Sequence, residues 1–507
     1  FGDHADGTYA QVDATHAHLN APAAFMWARG LEKRPVRVTF RPADPRWKVA
    51  TQLVPTPDPY TYTAPDLQYF MDSPVEVSDH DLRSWQVASN GRTYTLRLAL
   101  HHAGTPAEAA AFTEMARKVV AEEAGAMGGL PHFDYGTYTF LVDYLPQADG
   151  DGMEHRNSTV VTSPRPLSTG AVGNLGTISH EFFHAWNAER IRPRSLEPFD
   201  FERANMSGEL WFVEGFTQYY TPLFIRRAGI TRTEQYLPSV ASTINAVTLS
   251  PGRQLFSAVE MSMQAPFVDA ATSIDPTNRG NTFISYDTWG AGVGLGLDLA
   301  LRARGLSLDG FMQAVWRDFG RLQDTVAHAP LKPYTVADLR AALASYAGDR
   351  AFADDFFRRY VEGHEVPDYE RLLAPAGMLL RRAQPGRAWI GEQVIGYDST
   401  GAKVAGYPRT GSPLYRAGLT AGDGIVSLDG RPVATAEDVA AVLAARRPGD
   451  ALAIEWVGRE GRRTASLQAV ESPGMEVVTY EAAGRPVTAA MRAFRESWLG
   501  SKAGNRE

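Results

Sequence analysis

Five residues near the middle of the chain, His180-Glu181-Phe182-Phe183-His184, form an H-E-x-x-H motif, which constrains the fold more than any other feature. On an α-helix, positions i and i+4 share one face, so both imidazoles point at the same spot. Two neutral imidazoles placed in this way can bind one Zn²⁺ ion, and the Glu between them can act as a general base. The motif is short, and two histidines on a helix can also serve packing or the surface.

The residues around the motif favour a metal site. The segment 175–191 is rich in apolar residues, with Ile178, Phe182 and Trp186 at helical spacing, and Pro193 is predicted to end the helix. Ionisable side chains inside such an apolar helix are unfavourable unless they have partners. A metal ion is the simplest partner for both histidines.

The third ligand defines the subclass of metal site. The metzincin pattern H-E-x-x-H-x-x-G-x-x-H is excluded, because Asn187 and Arg190 occupy its Gly and third His positions. A thermolysin-like site takes a Glu from a following helix, and Glu214 is a lone carboxylate in the apolar run 210–220. We predict that Glu214 is a ligand and not the partner of a buried Arg. Glu189 lies on another face of the motif helix and is predicted to lie behind the ligands or at the surface.

Three blocks of sequence occur in a fixed order. They read GMEHRNST at 152–159, HEFFHxWNxxRIRP at 180–193 and LWFxEGFTxYY at 210–220. Together they resemble the glycyl aminopeptidase family of PDZ-carrying zinc peptidases, and the resemblance extends over almost the whole chain. It implies a gluzincin fold, one Zn²⁺ ion, and removal of small N-terminal residues, chiefly Gly and Ala, from peptide substrates with a free N-terminus.

The resemblance also implies roles for single residues. His180, His184 and Glu214 are the implied zinc ligands, and Glu181 is the implied general base. Glu154 in the first block is the implied anchor for the α-ammonium of the substrate, which a fixed carboxylate can hold by charge pairing. Without the H-E-x-x-H motif, Glu154 would be interpreted as a turn residue in a polar loop.

One stretch departs from the family pattern. Related zinc aminopeptidases stabilise the tetrahedral oxyanion with a Tyr from a Tyr-x-x-Gly-like stretch, which corresponds here to ISYDTWG at 284–290. The family often has two adjacent Tyr residues there, but this chain has Tyr286 followed by Asp287. Either Tyr286 stabilises the oxyanion, or the stabilisation is weaker, or another donor substitutes. A carboxylate cannot take this role unless it is protonated.

Composition indicates a multidomain protein with large cores. The chain has 507 residues, of which 44% are hydrophobic, and no stretch approaches the ~18 apolar residues of a transmembrane helix. The net charge of −8 gives no electrostatic reason to expect nucleic acid as a partner. Because Cys is absent, His and carboxylates remain as metal ligands.

The chain begins at Phe1 without Met, and the family resemblance leads us to expect further strands before this residue. A removed signal peptide would give a periplasmic or secreted enzyme. The sequence leaves the compartment open.

The predicted architecture is α+β with four regions. Residues 1–80 form the end of a β-rich N-terminal domain, and 81–375 form a thermolysin-like catalytic domain of strands followed by helices. Residues 386–472 form a PDZ domain, and 473–507 form a tail with a strand and a helix that could dock back on the enzyme. The further predicted elements are strands at 93–98 and 137–142 and helices at 107–124, 293–303 and 308–319.

The PDZ prediction depends on residues 412–433, which resemble the core of a bacterial PDZ domain, with Gly-Asp-Gly and Asp-Gly turns between short strands. Residues 436–445 are predicted to form the groove helix, capped by Thr435. PDZ domains bind peptide C-termini by adding a strand to a sheet edge, so such a terminus is one possible partner. The alternative is a PDZ domain that only packs on the catalytic domain.

Other features are interpreted as structural. His16 and His18 form a pair without a third ligand, and His101, His102 and His132 lack ligand spacing. The Gly-rich run at 290–296 has no preceding strand and no Lys-Ser/Thr, so it is interpreted as close helix packing and not as a nucleotide loop. Two functions remain as alternatives to the aminopeptidase: a PDZ-guided zinc endopeptidase, and a catalytically weakened peptide-binding protein.

Overall fold

The computed structural model describes residues 5–268 and 278–504. Its first part consists of short strands and two short helices. Two antiparallel sheets contain these strands, one in the order β1-β2-β7-β4 and one in the order β3-β6-β5. The elements are β1 (Gln11–Val12), β2 (His16–Leu19), α1 (Ala21–Ala24), β3 (Val36–Thr39), β4 (Lys48–Thr51), β5 (Val54–Pro55), β6 (Thr61–Ala64), α2 (Leu67–Met71) and β7 (Val75–Ser78).

A larger sheet of five strands follows. Its elements are β8 (Asp81–Ser89), β9 (Arg92–His102), α3 (Pro106–Met127), β10 (Thr137–Tyr144), β11 (Asp151–His155) and β12 (Ser158–Ser163). In the order β11-β12-β10-β9-β8, the three central strands are parallel and the two outer strands are antiparallel to their neighbours. Strand β11 therefore lies at one edge. The predicted strands and helix of this part are confirmed, each slightly longer than the sequence pattern indicated.

The helical part of the chain covers one face of this sheet. Its helices and one small hairpin are α4 (Leu167–Phe183), α5 (Leu210–Arg227), α6 (Thr233–Leu249), α7 (Ala258–Ser262), α8 (Ala265–Val268), α9 (Arg279–Thr282), α10 (Tyr286–Arg302), α11 (Leu308–Val315), β13 (Gln323–Asp324), β14 (Ala329–Pro330), α12 (Val336–Ala347), α13 (Arg350–Phe356) and α14 (Tyr369–Leu373). The predicted helices at 293–303 and 308–319 are confirmed, the second ending in a π-helical turn at 316–320.

Helix α4 differs from the predicted segment 175–191. It begins at Leu167 and ends at Phe183, and the residues after His184 continue as turns. Its first half contains several glycines, which weaken the helical sequence signal and explain the late predicted start. Its early end follows from hydrogen bonds outside the helix, because the ring of His184 binds the backbone carbonyl of Asn187.

Helices α5 and α10 cross at two glycines. The Cβ of any larger residue at Gly290 would come within 2.6 Å of the Cα of Gly215 and overlap the carbonyl oxygen of Trp211. A side chain at Gly294 would meet Phe216 at 3.3 Å. The interpretation of the Gly-rich run as close helix packing is therefore confirmed.

The last part of the chain contains a separate small sheet with its own apolar core. Its elements are β15 (Met378–Arg382), β16 (Ala388–Trp389), β17 (Ile395–Asp398), β18 (Gly401–Val404), α15 (Pro413–Arg416), β19 (Gly424–Leu428), β20 (Arg431–Pro432), α16 (Ala436–Ala444), β21 (Ala451–Gly458), β22 (Gly461–Gln468), β23 (Val470–Glu471), β24 (Met475–Thr479) and α17 (Ala489–Leu499). Thr435 caps α16 as predicted, because its hydroxyl accepts the backbone N–H of Asp438.

The tail docks on the helical part. Strand β24 pairs antiparallel with β15, so the small sheet lies between two paired strands in the chain. The indole N–H of Trp498 donates to the hydroxyl of Tyr219 at 2.9 Å, and Arg227 donates to the Trp498 carbonyl. Both partners are in α5. The α+β fold class is confirmed, and within the described residues no helix is long and apolar enough to cross a membrane.

Candidate active site

Two helices bring the three predicted metal ligands together. His180 lies in the last turn of α4, His184 caps the end of that helix, and Glu214 lies in the first half of α5. The Oε2 atom of Glu214 is 3.2 Å from the Nε2 atom of each histidine, and the two ring centroids are 4.8 Å apart. Two imidazole nitrogens and one carboxylate oxygen converging at this spacing fit a thermolysin-like zinc site.

Hydrogen bonds behind the ligands fix their orientation. The Nδ1–H group of His184 donates to the carbonyl of Asn187, which leaves Nε2 as the lone pair that faces Glu214. The side-chain amide of Asn187 donates in turn to the carbonyls of Phe212 and Val213 in α5. Asn187, which occupies the Gly position of the metzincin pattern, therefore connects His184 at the end of α4 with helix α5.

The site holds an ionised carboxylate. Burial raises the pKa of Glu214, but His184 and His180 outweigh this effect and hold that pKa well below its usual range. Among the described residues, the basic side chains within ion-pair distance of Glu214 are these two histidines. The alternative of a buried Arg partner is therefore excluded for that part of the chain.

Glu181 lies beside the ligands with its carboxylate buried. Burial raises the pKa of Glu181 to about 8, and the charges of Glu154 and Glu214 act in the same direction. Strand β11 passes directly over this carboxylate: a Cβ at Gly152 would be 2.6 Å from the Cδ atom of Glu181. The Gly of the GMEH block is therefore required for the carboxylate to occupy its place.

Glu154 lies on strand β11 and not in a loop. Its neighbour across the strand pair is Thr159, and one carboxylate oxygen of Glu154 lies within 4.8 Å of ligand atoms of both Glu181 and His184. The next residue, His155, is buried and its Nδ1 atom is 3.0 Å from a carboxylate oxygen of Asp72. This contact fixes the edge strand against the N-terminal part of the chain.

All of these side chains line one cavity of about 580 Å³. Tyr286 and Asp287 at the start of α10 also line it, and the Ser285 hydroxyl accepts the backbone N–H of Asp287. Glu189 does not line it; this side chain pairs with Arg192 at 3.3 Å behind the ligands. Further lining residues are Asp151, Thr177, Leu210, Gln218, Thr221 and Ala265.

Two positions behind the site were not assigned a role from sequence. The buried guanidinium of Arg190 donates to the carbonyls of Arg156 and His132 and to the side chain of Asn157, so it joins the end of the motif segment to the turn after β11. Glu123 in α3 is fully buried and accepts the hydroxyl of Ser179 at 3.2 Å. Burial raises the pKa of Glu123 well above its ordinary value. In the sequence, Glu123 has the helical spacing of a core residue. A charged residue at such a position is the signal that could have indicated a buried ionisable group.

Models of known protein families match the part of the chain that contains most of the site residues. The family model described as M61 glycyl aminopeptidase matches residues 173–293, and the Peptidase M61 N-terminal domain matches residues 1–79. The chain therefore carries an M61 glycyl aminopeptidase domain and an M61 N-terminal domain. A PDZ domain model matches residues 404–453. The predicted family, the peptidase class and the PDZ domain are thereby confirmed.

One solved structure shares this fold. The chain is similar to an aminopeptidase N family protein from Idiomarina loihiensis, with a TM-score of 0.79 and 23% identity over 97% of this chain and 84% of the other. It also matches the M1 zinc metallopeptidase from Deinococcus radiodurans, at a TM-score of 0.44 and 17% identity over 71% of this chain and 72% of the other. No curated protein matches the chain. At 23% identity, the first similarity establishes a shared fold.

Proposed function

We propose that this M61 peptidase is a zinc-dependent aminopeptidase that hydrolyses the first peptide bond of peptides whose N-terminal residue is small, chiefly Gly or Ala. The observation that carries the proposal is the convergence of Glu154 and Glu181 with the His180, His184 and Glu214 set in one cavity. A carboxylate beside a metal site suits a substrate that presents a free ammonium group. The preference for a small first residue is supported by the family description alone.

His180, His184 and Glu214 would hold one Zn²⁺ ion, which when bound supplies a Lewis acid for the scissile carbonyl. Glu181 takes a proton from the attacking water and later passes it to the leaving amine. Glu154 pairs with the α-ammonium of the substrate and so places the first peptide bond beside Glu181. The hydroxyl of Tyr286 donates a hydrogen bond to the developing oxyanion.

The PDZ domain adds a second proposed binding site, for a peptide C-terminus. Strand β17 lies at the edge of its sheet, which is the position where a peptide strand could be added. Residues 389–391 are a candidate loop for binding the terminal carboxylate of that peptide. The backbone N–H of Ile390 already donates to the side chain of Glu392 at 3.1 Å, which reduces the number of donors that this loop offers.

The proposed function is tested with Gly- and Ala-p-nitroanilide, their N-acetylated counterparts, and a zinc chelator. We expect hydrolysis of the free-amine substrates alone, and loss of this activity on chelation. Hydrolysis of the acetylated substrates would instead indicate an endopeptidase. If a folded, zinc-loaded protein hydrolyses neither, the aminopeptidase proposal is wrong and the binding role of the PDZ domain becomes the better hypothesis.

Two variants separate the roles of the carboxylates. Glu181→Gln is expected to lower kcat by about 10²–10⁴-fold with zinc still bound, because general acid–base catalysis contributes about that much. Glu154→Gln is expected to raise KM for Gly-p-nitroanilide, since it removes the partner of the ammonium group. An active, zinc-bound Glu181→Gln protein would contradict the mechanism.

A further inference from the structure

A second group of buried ionisable side chains lies far in sequence from the active-site motif. His16 and His18 come from β2, Glu76 from β7, His101 from β9 and Asp143 from β10. In the pairing of the strands, His18 is opposite Glu76 and His101 is opposite Asp143. The first pair belongs to the N-terminal sheet and the second pair to the central sheet. The group therefore lies between two sheets and is assembled from four strands.

The atoms of this group face one another at the spacing of metal ligands. The Nδ1 atom of His16 is 3.4 Å from a Glu76 oxygen, and the Nδ1 atoms of His18 and His101 are each 3.3 Å from an Asp143 oxygen. Charge-assisted N–H···O hydrogen bonds are about 2.7–2.9 Å long, so these distances are too long for that explanation. Ligand atoms about 2.0–2.2 Å from one ion are roughly 3.0–3.6 Å apart. The observed spacing agrees with the second geometry.

The polar atoms of this group also lack other partners. The three Nδ1 atoms and all four carboxylate oxygens are buried, and none has a hydrogen bond to any residue in 5–268 or 278–504. His16, His18 and Glu76 have side chains with 0% exposure, Asp143 has 1%, and His101 has 14%. Buried polar groups without partners are strongly unfavourable, so seven such atoms that face one another indicate a site for a cation.

Hydrogen bonds on the far side of two rings define which nitrogen is a lone pair. The Nε2 atom of His16 lies 2.7 Å from Oε1 of Gln11, and the Nε2 atom of His18 lies 2.9 Å from the carbonyl oxygen of Asp6. Both partners are acceptors, so each Nε2 carries a hydrogen. In the neutral rings, each Nδ1 is then a lone pair directed at a carboxylate. This is how metal-binding histidines are commonly oriented by a hydrogen bond from the other ring nitrogen.

Protonated histidines are the alternative to a metal ion. Burial opposes the charged form, but Asp143 and Glu76 outweigh it and raise the pKa of both His16 and His18 to about 10. Protonation places an N–H on Nδ1, and that N–H needs an acceptor within hydrogen-bond geometry, which these rings do not have. One divalent ion with three neutral imidazoles and two carboxylates also gives zero net charge.

We propose that His16, Glu76, His101 and Asp143, whose ligand atoms lie within 4.8 Å of one another, bind a second divalent transition-metal ion of the Zn²⁺ class, separate from the active-site ion. His18 lies beside them, 3.3 Å from Asp143, as a further possible ligand. Imidazole and carboxylate ligands suit such an ion. The site is closed by burial and supplies more than four ligand atoms, so it has a structural role: the ion joins the N-terminal sheet to the central sheet. This inference does not depend on the proposed peptidase reaction.

The decisive experiment measures the metal content of the 507-residue chain. Wild-type protein and the His180→Gln/His184→Gln variant are loaded with ZnCl₂, dialysed, and analysed for Zn, Mn, Fe, Co, Ni and Cu by mass spectrometry. We expect about two ions per chain in the wild type and about one in the variant, because only the active-site ion is lost. A folded His180→Gln/His184→Gln protein that retains no metal would overturn the proposal.

Variants of the second site locate the remaining ion. In the His180→Gln/His184→Gln background, adding His18→Gln and Asp143→Asn is expected to remove the remaining ion and to lower Tm. His102→Gln is the matched control, since this residue follows His101 on the opposite face of β9 and is expected to leave the ion bound. If the second-site variant does not fold, anomalous scattering from crystals of the His180→Gln/His184→Gln protein decides. A peak between the five side chains supports the proposal, and its absence overturns it.

The same measurements separate this inference from the proposed function. If the wild type contains one ion that survives His180→Gln/His184→Gln, the second site is occupied and the active-site assignment fails. If the wild type contains one ion that this variant loses, the active-site assignment stands and the second site is wrong. In the variant that keeps its ion, a strong chelator is expected to lower Tm.

Discussion

At the scale of single residues, the proposed role of Glu181 in catalysis depends on the absence of a side chain at residue 152. A Cβ at Gly152 would be 2.6 Å from the Cδ atom of Glu181 and 2.7 Å from the side chain of Thr177. Gly152→Ala is therefore expected to displace Glu181 and lower kcat for Gly-p-nitroanilide by at least about tenfold, because misplaced catalytic groups lose much of their effect. Gly150→Ala is the matched control, since a Cβ at Gly150 meets no atom within 4 Å.

Zinc content is measured for both glycine variants beside kcat. Gly152→Ala should retain zinc, since the ligands lie on α4 and α5 and not on β11. Equal activity of Gly152→Ala and Gly150→Ala would contradict the assignment of Glu181 as the general base at this position.

The convergence of site residues that depends on local spacing could be predicted from the sequence. The i and i+4 spacing of His180 and His184 leads directly to a shared site, and the apolar run around Glu214 indicates a third ligand. The proposed second metal site could not be predicted, because only His16 and His18 are local. Glu76, His101 and Asp143 join them through the pairing of strands that are distant in the sequence, which a spacing rule does not contain.

At the scale of elements, the active site depends on the crossing of α5 and α10. These helices carry Glu214 and Tyr286, and they approach closely at Gly215 and Gly290. Gly290→Ala is expected to lower the free energy of unfolding by about 1–3 kcal/mol or more, because overpacking forces the backbones apart. It should also weaken zinc binding, since Glu214 lies one residue before the crossing.

Gly294→Ala on the same helix is the graded control for the crossing. Its Cβ would meet the flexible side chain of Phe216 at 3.3 Å and not a backbone. A smaller loss of stability is therefore expected, measured by urea unfolding of both variants. If Gly294→Ala proved more destabilising than Gly290→Ala, the crossing would not be the determining contact.

Elements with strong periodicity were predicted well, and their ends were predicted less well. The β strand pattern at 137–142 and the helix at 107–124 agree with the structure to within a few residues. Helix α4 was misplaced at both ends, because its glycines hide the start and tertiary hydrogen bonds from Asn187 determine the end. Propensity and periodicity contain neither of these tertiary contacts.

At the scale of the whole molecule, the PDZ domain is an insertion between two paired strands. Arg382 at the end of β15 is paired with Met475 at the start of β24, and the tail that follows packs on α5 through the fully buried Trp498. The contacts of the PDZ domain with the catalytic part include the two hydrogen bonds of Asn281 to the loop that contains Pro408. The domain can therefore be removed without removing the tail.

We predict that replacing residues 383–474 with an Asn-Gly turn gives a folded peptidase. The pair Arg382 and Met475 would close a two-residue hairpin, for which Asn-Gly is the preferred sequence. The expected kcat/KM for Gly-p-nitroanilide is within about tenfold of the wild type, because none of the proposed catalytic residues is removed. Circular dichroism melting and p-nitroanilide kinetics check both expectations.

A chain ended after Arg382 is the matched comparison, because it lacks the same PDZ domain and also loses β24 and α17. It exposes the site on α5 that Trp498 fills, and loss of one buried Trp side chain alone costs about 3–5 kcal/mol. We therefore expect this chain to be unstable and inactive. If the variant without residues 383–474 is folded but inactive, the PDZ domain orders the part of the cavity that contains Tyr286. Asn281, which forms hydrogen bonds with the PDZ domain, is close to Tyr286 in the sequence. In that case the packing role of the PDZ domain, and not peptide capture alone, accounts for its presence.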